Sequence, residues 1–156
     1  MVKVLIDADG CPVVDQTIAA ARKFKLDVIL LCDTSHEMYR EGAETVTVSK
    51  GPDAVDFVLV NRVKKGDIVV TQDYGLAAMV LAKQGYPIDQ NGRFYSEENI
   101  DQLLHGRHIA KKIRQGGGRM KGPKKRKAED NEKFIENLTE LIENIIGKLN
   151  DGGGLA

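Results

Sequence analysis

Tryptophan is absent from these 156 residues, only two cysteines and three histidines are present, and aromatic side chains make up 5% of the chain. Cys11 and Cys32 stand far apart with no CxxC spacing, which excludes a zinc ribbon or a disulfide framework and makes a reduced, cytosolic thiol state the expectation. His36, His105 and His108 have no second soft donor at ligand spacing, so they read as solvated or capping residues. The scarcity of histidine and cysteine leaves no pair suited to nucleophilic catalysis. No apolar run approaches the roughly 20 residues that span a bilayer, and the first residues lack the basic flank and apolar core of a signal peptide. A soluble cytoplasmic protein with no membrane partner is expected.

Net charge is also missing, because 23 Lys+Arg balance 23 Asp+Glu. The balance conceals segregation. Residues 1–104 carry 11 basic and 16 acidic side chains, residues 105–127 carry 10 and none, and residues 128–156 carry 2 and 7. A basic segment beside an acidic body suits a polyanion held by cations while its reacting centre meets carboxylates; a solvated basic loop gives the same pattern.

The carboxylates sit at recurring places. Val4-Leu5-Ile6 reads as a buried strand that ends in Asp7 and Asp9, and Gly10 and Pro12 then turn the chain into a helix with Pro12 at its first position. A second strand, Val28–Cys32, ends in Asp33-Thr34-Ser35-His36, and a third, Thr45–Val48, ends at Ser49. Gly51 and Pro52 open a helix with Asp53 and Asp56 on one face and Val55, Val58, Leu59 and Val63 on another. Residues 67–73 form a fourth strand that again ends in polar Thr71 and Asp73, before a helix over Leu76–Lys83. Residues 85–89 give a short fifth strand, which Pro87 places at an edge. Strands alternating with helices argue for βαβ units and a parallel sheet.

Ser96 with Asn99 marks the start of a further helix, expected to bend at Gly106 and continue as a basic helix through Ile113. The glycine-rich stretch 115–127 reads as a cationic loop, and Gly116-Gly117-Gly118, with no strand before it, as a hinge rather than a phosphate cradle. A last helix from Asp130 to Leu149 carries Phe134, Leu138, Leu141, Ile142 and Ile145, a stripe that docks on the domain or pairs two copies in a homodimer. Residues 151–156 are expected to form a disordered tail.

If the first strand is central and the fourth lies beside it, Asp7, Asp9, Asp53, Asp56 and Asp73 converge on one crevice, with Thr71 and Ser49 as polar neighbours. Hard oxygen donors in that number suit one or two Mg²⁺ or Mn²⁺ ions, and such ions serve phosphodiester hydrolysis. Two other chemistries start from the same residues. Asp7 could be a nucleophile in an aspartyl-phosphate phosphatase of the haloacid-dehalogenase type, with Asp9 as acid/base, Asp73 on Mg²⁺ and Ser49-Lys50 as its remaining polar groups. Alternatively Lys111, Lys112, Arg114, Arg119, Lys121, Lys124, Lys125, Arg126 and Lys127 carry a non-catalytic nucleic-acid-binding function through phosphate contacts.

The opening Asp7-Ala8-Asp9-Gly10-Cys11-Pro12-Val13, the helix head Gly51–Asp56, the stretch Gly66–Asp73 followed by Leu76-Ala77, and the closing Asp130–Phe134 together resemble the YaiI/YqxD family of bacterial proteins, which has a PIN-like domain. The resemblance runs from Val2 to about Leu149. It implies one domain over residues 1–150, an α/β three-layer sandwich with a mostly parallel sheet and helices on both faces. It further implies a metal-dependent nuclease in which Asp7, Asp9, Asp53 and Asp73 are catalytic, these four and Asp56 bind metal, and the substrate is RNA in preference to DNA. Gly10 stands where the family usually has Ala, and Asn131 where it tends to have Arg.

Overall fold

The structure, a computed structural model, describes residues 2–51, 53–117 and 125–153. Five strands and five helices are found in this part of the chain. In order they are β1 (Lys3–Asp7), α1 (Val14–Lys23), β2 (Asp27–Asp33), β3 (Glu44–Val48), α2 (Ala54–Arg62), β4 (Ile68–Val70), α3 (Tyr74–Ala82), β5 (Tyr86–Ile88), α4 (Glu97–Gln115) and α5 (Ala128–Gly153). The strands form one sheet in the order β3-β2-β1-β4-β5, and every named pairing is parallel. β1 is central because Val4, Leu5 and Ile6 are apolar on both faces and wholly buried. Pro87, which cannot donate to a ladder, lies in the edge strand β5, as its residue type requires.

Alternation along the strands assigns the two faces. Val4, Ile6, Val28, Leu30, Cys32, Ile68, Val70 and Ile88 point to the side covered by α1 and by Phe134, Leu138, Leu141, Ile142 and Ile145 of α5. Leu5, Ile29, Leu31 and Val69 meet Leu59 and Val63 beside α2 and Leu76 and Val80 of α3. The result is a three-layer α/β sandwich. α4 stands outside it, packed on α3 where Ile100 meets Ala77 and Tyr95. The apolar stripe of α5 is therefore spent on its own sheet, with Leu149 left 54% exposed near its end. Among the described residues no helix is long and apolar enough to cross a membrane.

Several boundaries differ from the sequence reading for local reasons. α1 starts at Val14 rather than Pro12, because Gly10 takes φ +69° and the Cys11 N–H donates to the Ala8 carbonyl (3.1 Å), which inserts a turn before the helix. α5 begins at Ala128, two residues before Asp130. The Asp130 carboxylate accepts the Lys127 N–H (2.8 Å), so this acid is the third helical residue reaching back to the cap instead of the cap itself. α5 also continues to Gly153, taking in three residues read as tail; residues 154–156 lie outside the described part. α4 runs as one helix through Gly106, where a Cβ would meet nothing and no neighbour forces an interruption. Its start is as expected, with Ser96 and Asn99 forming a reciprocal capping box.

Candidate active site

The strand order reverses between β1 and β4, and in open α/β sheets a crevice forms outside the carboxyl ends of the strands at that point. Asp7, the last residue of β1, meets Thr71, the first beyond β4, across it: Thr71 Oγ1 donates to Asp7 Oδ2 (2.9 Å) and accepts the Asp73 N–H (3.0 Å). Thr71 is buried, and its carbonyl receives the Tyr95 hydroxyl (3.1 Å). Asp73 caps α3 by accepting the Leu76 N–H (3.1 Å). Thr71 thus ties the Asp7 carboxylate to the backbone of Asp73, whose own carboxylate is held by the head of α3.

Two lobes open from this point. One, of about 260 Å³, is lined by Asp7, Asp9, Asp33, Asp53, Asp56 and Asp73, with Gly51, Ala54 and Val55. The other, of about 340 Å³, shares Asp7, Asp9 and Asp73 but is otherwise neutral or cationic, with Gln72, Tyr74, Gln90 and Arg107 among its walls. Asp53 reaches the first lobe as the residue before α2, in the left-handed region at φ 60°, and Asp56 from the first turn of that helix. All five aspartates expected from the sequence therefore line one cleft. Among the described residues, the only His, Cys, Asp and Glu donors that come within 4.8 Å of one another as a trio are those of Asp9, Asp33 and His36.

Asp33 and His36 went unselected in the sequence. The Asp33 side chain turns the chain back on itself by accepting the Ser35 and His36 N–H groups (2.8 and 3.0 Å), which brings His36 Nδ1 to 3.2 Å from Asp33 and 3.5 Å from Asp9. The available signal was the same strand-end carboxylate rule that selected Asp7 and Asp73. Arg107 was also passed over singly; it projects from α4 to 3.7 Å from Asp73.

The remaining candidates are dispersed. Ser49 and Lys50 are exposed beyond β3 and line neither lobe. Lys111, Lys112 and Arg114 are exposed on α4, and Lys125 and Lys127 are exposed before α5. Arg119, Lys121 and Lys124 lie outside the described residues. Arg126 is committed within the fold: its guanidinium donates to Asn131 Oδ1 (2.7 Å), Asn91 Oδ1 (2.8 Å) and the Gln90 carbonyl (2.7 Å). Asn131 is thus a partner for that arginine. Tyr74 lines the cleft and packs its ring edge-on against Tyr95, with centroids 5.9 Å apart.

The description "Uncharacterized BCR, YaiI/YqxD family" matches residues 5–144. The chain belongs to the YaiI/YqxD family. A UPF0178 protein of Exiguobacterium sibiricum is 56% identical over 140 residues, which cover 90% of this chain and 96% of that one. Another from Clostridium acetobutylicum is 47% identical over 142 residues, again 90% and 96% of the two chains. No solved structure matches significantly. The YaiI/YqxD match covers every cleft aspartate named above, from Asp7 to Asp73.

Electrostatics sets this YaiI/YqxD cleft apart from ordinary acidic surface. Burial raises the Asp7 carboxyl, the Thr71 hydrogen bond opposes the shift, and Asp73 and Asp9 add to it. Asp56 is pushed up to about 6, first by burial and then by the negative charges of Asp73, Asp7 and Asp53. A carboxyl whose folded-state value lies above its unfolded one favours folding when protonated, so its contribution is present in acid and is lost as pH rises through about 6. In EDTA the melting temperature is expected to rise as pH falls from about 7.5 to about 5.5, and Asp56→Asn is expected to flatten that rise. An Asn variant with the wild-type slope contradicts the assignment.

Proposed function

We propose that this protein is a metal-dependent nuclease of the PIN-like type that hydrolyses phosphodiester bonds in RNA or structured nucleic acid. The observation that carries the reading is the convergence of six carboxylates at the switch point of the sheet. The donor set fits a divalent ion: it is all hard oxygen apart from His36, it repels itself, and a cation of charge two relieves that repulsion. Asp7, Asp9, Asp53, Asp56 and Asp73 would hold Mg²⁺ or Mn²⁺, which when bound supplies charge neutralisation at a phosphate and lowers the pKa of water.

The chain's own contributions follow from the geometry. Thr71 holds the Asp7 carboxylate and the Leu76 N–H holds that of Asp73, so neither has to be ordered when substrate arrives. Asp56, pushed up to about 6 by burial and by Asp73, Asp7 and Asp53, marks the crowding of charge that a divalent ion would relieve. The larger lobe, with Tyr74, Gln72 and Gln90, offers room and hydrogen-bonding groups for one nucleoside beside the acids.

The test is cleavage of labelled single-stranded RNA, duplex DNA and a flap substrate with Mn²⁺, with Mn²⁺ binding followed by calorimetry on the same samples. Wild type is expected to cleave only with the ion, and Asp9→Asn and Asp73→Asn to lower both cleavage and metal affinity by about 100-fold or more. Wild type that neither binds Mn²⁺ nor cleaves any substrate overturns the reading. The exposed cations Lys111, Lys112, Arg114, Lys125 and Lys127 favour a second one, a non-catalytic nucleic-acid-binding protein. Salt-sensitive binding that is intact in wild type and in both variants, without cleavage, selects it.

A further inference from the structure

Arg107 is the one cation among the described residues that line either lobe of the cleft. Its place is set by packing: the first turns of α4 are fastened to α3 through Ile100, Leu103 and Leu104, while the helix from His105 onward is exposed on nearly every residue. Arg107 is the first basic residue beyond the fastened part, and it leans back over the acids to within 3.7 Å of Asp73 Oδ1. Both partners keep contact with water, with 61% of the Arg107 side chain and 35% of the Asp73 side chain exposed. A pair so exposed contributes little to folding. Its placement is therefore better explained by what enters the cleft.

A guanidinium is planar, permanently charged and matched to two phosphate oxygens at once. We infer that Arg107 is the phosphate ligand of the cleft, paired with Asp73 when no cation is bound and handed to a substrate phosphate when a divalent ion takes Asp73. Lys111 and Arg114 stand four and seven residues further along α4, on the same face of the helix, and both are exposed. They extend the contact to flanking phosphates and direct a polynucleotide backbone out of the cleft along α4. The assignment rests on the nuclease reading for the chemistry, but its electrostatic part stands on the Arg107 geometry alone.

Wild type, Arg107→Ala, Arg107→Lys and Lys111→Ala are compared in three measurements: Mn²⁺ binding by calorimetry, binding of a short labelled RNA by anisotropy with Ca²⁺, and turnover of that RNA and of bis(p-nitrophenyl) phosphate with Mn²⁺. Arg107→Ala is expected to bind Mn²⁺ at least as tightly as wild type, because Asp73 loses its competing partner. Its kcat falls about 100-fold on both substrates, the scale on which a lost transition-state donor is felt. Arg107→Lys restores part of that loss. Lys111→Ala raises KM for RNA and lowers the log–log salt slope of RNA binding by about 0.7.

Unchanged kcat in Arg107→Ala overturns the inference and leaves the nuclease reading standing, as does a Lys variant no better than Ala. Loss of Mn²⁺ binding in Arg107→Ala reduces the residue to a support for Asp73 and overturns the inference too. Wild type without Mn²⁺ affinity or turnover sinks the nuclease reading. The anisotropy series then decides on Arg107 by itself, with equal RNA affinity in wild type and Arg107→Ala as the overturning result.

Discussion

Asp67→Ala is expected to destabilise the protein by about 3–5 kcal/mol, the range for removing one partner of a buried ion pair. The residue sits at the opposite end of the sheet from the cleft, immediately before β4, and is 1% exposed. Its carboxylate accepts the Lys3 N–H (3.1 Å) and the Lys64 N–H (2.8 Å) and pairs with the Lys3 ammonium. Truncation strands both backbone donors and leaves the largely covered Lys3 charge without its counterion. A urea titration reads the loss directly, and what remains folded should bind Mn²⁺ as wild type does. A change below about 1 kcal/mol would mean that water replaces the carboxylate, and the ion pair would then hold β1 to β4 only nominally. The result also separates two kinds of aspartate. Asp67 is satisfied by its neighbours, whereas the cleft aspartates are crowded by one another.

Phe134→Ala is the second large effect, at about 3–5 kcal/mol. Phe134 is wholly buried, in the cluster that joins the sheet to α1 and α5. Removing the ring takes apolar area out of the core and leaves a space the surrounding strands are too rigid to close. Phe57→Ala offers the internal comparison, since that ring is 65% exposed on α2 and its loss should fall within about 0.5 kcal/mol. Equal melting temperatures for the two variants would place α5 outside the cooperative core.

The features legible in the sequence were those that depend on local pattern. Buried runs such as Val4-Leu5-Ile6 announce a parallel sheet, Pro87 announces an edge, and Ser96 with Asn99 announces a helix start, because each follows from the residue's own chemistry. Asp7, Asp9 and Asp73 stood out for the same reason, lying just beyond apolar runs, and Asp53 and Asp56 stood out at a helix head. What escaped depends on how the folded chain surrounds each residue, near and far in sequence. Arg126 looks like any surface cation until Asn91 and Asn131, 35 and 5 residues away, are seen around it. Arg107 reaches the cleft only because α4 is fastened to α3 on one side, and His36 approaches Asp9 only because Asp33 folds its loop back. Asp53 in a left-handed conformation carries no signature in composition, since the residue that most tolerates that region is glycine.

The pairing of α1 with α5 across one face of the sheet has a consequence for synthesis. α1 ends at Lys23, yet the partner that covers its flank begins at Ala128, more than a hundred residues later. On the ribosome, β1, β2 and β4 can align and their other face can close with α2 and α3 while this one is covered by α1 alone. Nascent chains of that kind expose Val28, Leu30, Ile68 and Val70 to whatever is nearby, and exposure lasts until Phe134 and Leu138 emerge. A chain stopped before Leu138 would therefore carry a formed sheet with one face incompletely covered, the kind of apolar surface on which aggregation starts.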